Sequence, residues 1–366
     1  MHGDLQKHPA FRVRRRHPQD PLSSLRLFRG CEGRLTAMAN RTISNNVVVE
    51  TQDLKKYFRV KKSNLHAVDG INLKIYEGST LGVVGESGCG KSTLGQTIIR
   101  LYNPTSGKIL FQGQDITTLN QFAFRKFRPN MQMIFQDPYS SLNPRMTVSD
   151  LIAEPLKVNG FGSKKEIYAK VAEMMDTVGL AQRLANAYPH ELDGGRRQRI
   201  GVARAIALQP KFVVCDEPVS ALDVSIQAQI LNLLMDLQDE MNLTYMFITH
   251  DLSVVKHISD EIMVMYLGVC VEKARTNDLF ANPLHPYTKA LLSAVPLPES
   301  SMRGKKPQLI KGELTSPIDP KPGCRFAIRC EHATESCMCK NPELTEVSPG
   351  HFVACPMMSV KSGKQE

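Results

Sequence analysis

The stretch GESGCGKS at 85–92 has the residue types and spacing of a phosphate cradle. Gly85 and Gly90 let backbone N–H groups converge on phosphate oxygens, and the helix that follows offers its positive N-terminus. Lys91 reaches toward the β and γ phosphates, and Ser92 supplies a hydroxyl for Mg²⁺. Ser87, Gly88, Cys89 and Thr93 fall within or beside the same turn and complete the candidate nucleotide-binding stretch. An apolar run, TLGVV, precedes it and an amphipathic segment follows, which is the strand–turn–helix setting this chemistry needs.

Three further strand ends carry polar residues. KFVVCDEP (211–218) is a short apolar run ending in Asp216 and Glu217. Such a run suits a buried parallel strand, whose C-terminal end is where α/β sheets hold ligands. Asp216 is then placed to hold a metal and Glu217 to act as general base on water. TYMFITH ends a second apolar strand at His250, and MIFQ ends a third at Gln136. Alone, each of these two would be an ordinary polar residue at a strand end; His250 falls one strand beyond the acid pair, close enough in a parallel sheet to touch a γ-phosphate.

In this order the motifs resemble the ATP-binding subunits of ABC transporters, over about residues 45–366. The resemblance implies an α/β P-loop NTPase fold of ABC type with a helical subdomain, and a small Cys-rich C-terminal extension. It makes Gln136, Glu217 and His250 catalytic, with Ser92, Gln136 and Asp216 around Mg²⁺. It makes 192–198 the signature and SALD (220–223) the D-loop. An early aromatic should stack on adenine; Tyr57 and Phe58 are both available in KKYFRV, and the count from Leu54 favours Phe58. QDPYSSLNPRMTV, DEPVSALDVSIQAQILNLL, ANPLHPYTKALLSAVP and the cysteine-bearing tail narrow the resemblance to the DppF/OppF-like oligopeptide/dipeptide uptake ATPases. That branch implies ATP as substrate, a second homologous ATPase, two integral membrane permeases and an extracytoplasmic substrate-binding protein. It also implies a peripheral position on the cytoplasmic face of the inner membrane.

The signature departs from the family's LSGGQRQR, reading LDGGRRQR instead. Asp193, Gly194, Gly195 and Arg196, with Asp223 of the D-loop, would meet ATP held by the partner ATPase, where the serine normally donates to the γ-phosphate. An aspartate there opposes the phosphate charge by on the order of 4 kcal/mol for one pair about 4 Å apart at an effective dielectric near 20. Asp193 is also a good N-cap, and Arg196 three residues on can neutralise it. A weakened signature, rescue by Arg196 or Arg197, and an altered sequence at these codons all stay open at this point.

Bulk properties exclude other classes. The chain has 366 residues and 42% hydrophobic content, enough for one large α/β domain with an appendage. The formal charge of +10 is concentrated at the start: residues 1–37 hold eight Lys/Arg against three acids. The rest is only mildly basic, with no long coiled-coil insertion or basic face, so nucleic acid is not an expected partner. The Pro- and Arg-rich opening, about 1–44, reads as disordered, with Met38 an alternative start and an organelle-targeting role a lesser option. The ATPase domain is expected over 45–274, with its helical subdomain at about 137–205.

Two helical patterns, TVSDLIAEPLKV and KKEIYAKVAEMMDTVGL, fill that subdomain. DEIMVMYLGVCVEKA (260–274) reads as two strands finishing the sheet. Prolines multiply after it, marking the extension at 275–366, in which HPYTKALLSAV is a short helix opened by Pro286. Five of the nine cysteines crowd the last 43 residues. Cys324, Cys330, Cys337 and Cys355 space as C-x5-C-x6-C-x17-C, with Cys339 a spare. Four thiolates can hold zinc or a [4Fe–4S] cluster, and spacing alone does not choose. The loops exceed those of paired C-x2-C knuckles and the resemblance points the same way, so the expectation is iron–sulfur.

Overall fold

The computed structural model describes residues 44–294 and 316–359. The expectations for residues 1–43, including Met38, lie outside them.

Two sheets carry the fold. The smaller runs β2-β1-β4-β5, with β1 (Val47–Val60), β2 (Ser63–Tyr76), β4 (Ser106–Phe111) and β5 (Gln114–Asp115). Its pairs are antiparallel, and β1 shifts register against β2 between Leu54 and Tyr57, so the strand twists just before Phe58. The larger sheet has the order β11-β12-β10-β9-β3-β8-β7-β6. Its parallel core is β6 (Met131–Ile134), β7 (Phe212–Asp216), β8 (Thr244–Ile248), β3 (Thr80–Val84) and β9 (Glu261–Tyr266). Every residue of β3, β7 and β8 is buried, which is why these strands read as unbroken apolar runs rather than alternating ones.

Helices close on both faces. α1 (Lys91–Ile98) follows β3 directly, and Gly95 lets it approach the sheet: a Cβ there would stand 2.7 Å from Val214. The two helical patterns become α2 (Val148–Val158) and α3 (Lys164–Thr177). Thr147 caps the first, and Ser163 with Glu166 forms a reciprocal capping box on the second. Val148, Leu151, Ile152 and Leu156 of α2 are buried in one cluster with α3 and α4 (Gly194–Ile206), so most of its stripe is core. Val158 and Phe161 at its end stay exposed. α5 (Val224–Met241) and α6 (Leu252–Ile258) complete the layer, and His285 caps α7 (Pro286–Ser293) by accepting from Tyr287 N–H at 3.1 Å.

The sheet does not finish at β10 (Val269–Arg275), contrary to the sequence expectation. β12 (His351–Val353) pairs with β10, and β11 (Thr345–Ser348) pairs with β12. The fastening is polar as well. Glu272 is fully buried, and its carboxylate accepts from Leu284 N at 2.8 Å, His285 N at 2.9 Å and His351 Nε2 at 2.7 Å. Burial alone would raise its pKa; these donors outweigh burial and hold it below the usual range. Nothing in short-range patterning announces a pairing between residues about eighty positions apart. Among the described residues, no helix is long and apolar enough to cross a membrane.

Candidate functional site

The glycine loop leaves β3 at Gly85 and enters α1 at Lys91. Gly85, Gly88 and Gly90 all have positive φ. A Cβ on Gly90 would stand 1.9 Å from the Ala67 carbonyl oxygen of β2, and one on Gly85 would stand 2.2 Å from that of Met265 in β9. Only glycine lets the turn press against both strands. Lys91 is 4% exposed, and its Nζ donates to the Gly85 carbonyl at 2.7 Å and the Glu86 carbonyl at 3.0 Å. The lysine therefore lies along the inside of the loop, where phosphate oxygens can replace those carbonyls.

Three neighbouring strand ends meet the loop. Ser92 Oγ donates to Asp216 Oδ1 at 2.7 Å. Both are hard oxygen donors, as Mg²⁺ requires, and Asp216 is buried. Burial raises its carboxyl pKa, with the Glu217 charge adding and Ser92 and Lys91 opposing. A buried carboxyl that resists ionising gains most from a cation. Glu217, the next residue, has φ of 44°, a left-handed turn that aims its carboxylate at the gap between strands. Gln136 Nε2 donates to its Oε2 at 2.8 Å, and His250 Nδ1 stands 3.1 Å from its Oε1. So β6, β7 and β8, adjacent in the sheet, bring Gln136, Glu217 and His250 together.

These residues line a cleft of about 540 Å³ with Ser87, Gly88, Cys89 and Thr93. Phe58 is in its wall, and Lys56 Nζ sits 4.9 Å from the centre of that ring. Tyr57 points elsewhere: its hydroxyl donates to Asp69 and its ring stacks on His66 at 3.8 Å. The choice of Phe58 over Tyr57 thus agrees with strand alternation. His66, Leu267 and Pro317 also line the cleft, and no motif marks them. A larger cavity of about 1180 Å³, between β1, β2 and the C-terminal segment, contains none of the loop residues.

Asp193, Gly194, Gly195, Arg196 and Asp223 do not line this cleft. Asp193 is the N-cap of α4, accepting from Arg196 N–H at 2.8 Å, and Arg196 Nε lies 3.4 Å from its Oδ2. Both side chains are about half exposed, at 58% and 47%. Gly195 is forced: a Cβ would meet Ile226 at 2.8 Å. Asp223 caps α5 by position without a side-chain hydrogen bond.

The C-terminal cysteines gather without forming ligands. Cys330, Cys337 and Cys355 stand near enough to Cys324 to help raise its pKa, but burial is the larger cause and takes it to about 11. Cys337 and Cys355 are buried, and Cys337 Sγ is 3.4 Å from the Thr334 hydroxyl. Among the described residues, no group of three or more His, Cys, Asp or Glu has the arrangement to hold a metal ion. The iron–sulfur expectation is therefore not supported.

Comparison with known proteins agrees with this geometry. The ABC transporter family model matches residues 68–220, and the model for the oligopeptide/dipeptide transporter C-terminal region matches 271–337. The oligopeptide transport ATP-binding protein AppF of Bacillus subtilis is 51% identical over 325 residues, covering 86% of this chain and 99% of the relative. OppF of Salmonella typhimurium is 52% identical over 84% of this chain and 96% of its own length. Among solved structures, the dimeric ATP-binding cassette MJ0796 bound to ADP and Pi aligns with a TM-score of 0.58 at 28% identity, over 62% of this chain and 98% of that one. CbiO1 of Clostridium perfringens aligns at 0.59 and 28%, over 65% and 92%. The chain belongs to the ABC transporter family, as an ATPase of the branch formed by the oligopeptide transport ATP-binding proteins.

Proposed function

We propose that this chain hydrolyses ATP to drive an importer of oligopeptides, working with a second homologous ATPase beneath two membrane permeases. An extracytoplasmic binding protein delivers the peptide, and the chain sits on the cytoplasmic face of the inner membrane. The observation that carries the hydrolytic part is Glu217, held between Gln136 and His250 at the open end of the glycine loop. The peptide cargo and the membrane partners are supported by the names of the relatives and by the match of 271–337 to the transporter C-terminal region.

In this reading the backbone of Gly85–Thr93 and Lys91 hold the phosphates, and Phe58 stacks on the base. Ser92, Asp216 and Gln136 would hold Mg²⁺, which would supply charge neutralisation at the phosphate oxygens. Glu217 accepts a proton from the attacking water as oxygen adds to the γ-phosphorus and the bond to the ADP oxygen breaks. His250 orients Glu217 and faces the γ-phosphate, where its polar ring end meets the developing charge. Asp193 to Arg196 and Asp223 act across the ATPase pair, on nucleotide held by the partner. The ATPase body spans about 45–274 and the transporter-type segment follows it.

A soluble ATPase acting on nucleic acid or ribosomes is not favoured. The charge outside the opening segment is mild, and the relatives over most of the chain are transport proteins. The test is ATP-driven uptake of a labelled oligopeptide into vesicles carrying the co-expressed permeases. Uptake that needs this chain and fails with Lys91→Ala supports the proposal. Hydrolysis without uptake, together with co-purification on ribosomes or DNA, would replace it.

A further inference from the structure

Glu86, the second residue of the glycine loop, is held twice by the C-terminal segment. Its backbone N–H donates to the Tyr287 hydroxyl at 2.8 Å. Its carboxylate receives Arg329 Nη1 at 2.9 Å and 3.2 Å. Tyr287 is fully buried and the Arg329 side chain is 8% exposed. Arg329 also donates to the Tyr266 hydroxyl at 3.3 Å. Tyr266, Tyr287 and Phe326 pack ring to ring at 4.8–5.4 Å, so both anchors rise from one aromatic platform. The Glu86 carbonyl in turn accepts from Lys91 Nζ.

The same segment reaches the opposite wall of the cleft. Arg325 pairs with Asp69, which also binds the Tyr57 hydroxyl and His66 Nδ1. The His66 backbone N–H donates to the Pro317 carbonyl at 3.0 Å, and both residues line the cleft.

The geometry points to Tyr287 and Arg329 as positioning residues that hold the nucleotide loop, through Glu86, in the shape that receives ATP. A loop with three glycines at positive φ has many accessible conformations, and fixing one before the ligand arrives removes that ordering cost from binding. Charge-assisted hydrogen bonds are the stronger kind, and these are half-buried or better. Neither residue contacts Gln136, Glu217 or His250, so the effect falls on ATP affinity and not on the bond-breaking step. Tyr287 of α7 and Arg329 then belong to the support of the nucleotide site. This inference rests on the ATPase reading above.

The test uses the full chain assembled with its permeases, and measures KM and kcat for ATP, with Kd measured separately because KM equals Kd only when chemistry is slow. Arg329→Ala is expected to raise Kd and KM roughly five- to tenfold, with kcat within about twofold, and Arg329→Lys to recover part of the loss. Glu86→Ala should match Arg329→Ala, and the double variant should be no worse than either, because both remove one interaction. Amide hydrogens of residues 86–91 should exchange faster in Arg329→Ala without nucleotide. Unchanged KM and Kd in a folded Arg329→Ala, or fully additive losses in the double variant, would overturn the inference. If Arg329→Ala does not fold, Tyr287→Phe decides: it keeps the ring platform and removes only the acceptor, and unchanged affinity there overturns it too. If wild type binds ATP no better than Lys91→Ala, it is the ATPase reading that fails.

Discussion

His250 Nδ1 lies 3.1 Å from Glu217 Oε1, across the ends of two neighbouring parallel strands. Gln136 takes the other carboxylate oxygen from the strand on the far side. A carboxylate held at both oxygens cannot rotate away, which is the placement the proposed general base requires.

Glu217→Gln keeps the shape and the hydrogen bonding but removes the proton acceptor. Steady ATP turnover should fall by roughly 10²–10⁴-fold, the usual contribution of a positioned base, while Mg-ATP binding persists. Phosphate release and nucleotide binding measured on the same preparation check this. Loss of both together would mean that Glu217 shapes the site and does not take the proton.

Phe58 and Tyr57 are adjacent on β1, yet only Phe58 lines the cleft. Phe58→Ala should weaken ATP binding by roughly tenfold, given that a base stacked on an aromatic contributes about 1–3 kcal/mol. Tyr57→Phe, which removes the bond to Asp69 and leaves the ring, should change it by less. Titration with a fluorescent ATP analogue measures both; the reverse order would move the base to the other ring.

Much of this site was legible because it is local. The glycine loop, the acid pair after β7 and the polar residues ending β6 and β8 each follow an apolar run, and such runs announce buried parallel strands. The signature's aspartate was also readable as an N-cap, because a cap depends only on the next three residues. What escaped reading depends on distant pairing. The grip of Tyr287 and Arg329 on Glu86, the addition of β11 and β12 to the sheet and the burial of Glu272 join residues far apart in the chain. The cysteine spacing is a different case: four thiols in one region fit a cluster by count, but among the described residues no such group has the arrangement to hold a metal ion.

Asp193 and Arg196 form an exposed pair at the start of α4, which screens the aspartate only partly because solvent weakens such pairs. Replacing both with the family residues, Asp193→Ser and Arg196→Gln, should raise ATP turnover of the assembled transporter tenfold or more, about 1.4 kcal/mol in barrier. Ser at the cap position keeps the helix start, so thermal stability should barely move. Unchanged turnover would mean that Arg196 already neutralises the aspartate at the interface, or that the other composite site carries the flux.

His285 makes the fold sensitive to acid. It is 1% exposed, packs against Phe326, accepts from the Tyr287 N–H and has the Glu272 carboxylate beside it. Burial is the dominant influence and lowers its pKa from 6.5 to about 4, with Glu272 opposing. When unfolded it takes up a proton near pH 6.5, and when folded only near 4. Between those values the unfolded chain holds more protons, so stability falls as pH falls, by about 2 kcal/mol between pH 7 and pH 5 for this one group. His285→Asn retains an oxygen acceptor for the helix cap and cannot titrate. Urea unfolding of wild type and His285→Asn across pH 5–7 should therefore show the gap between them narrow or reverse toward pH 5. Parallel curves would mean that folding leaves the imidazole pKa unshifted, and a gap that widens toward pH 5 would mean that it is charged in the fold and paired with Glu272.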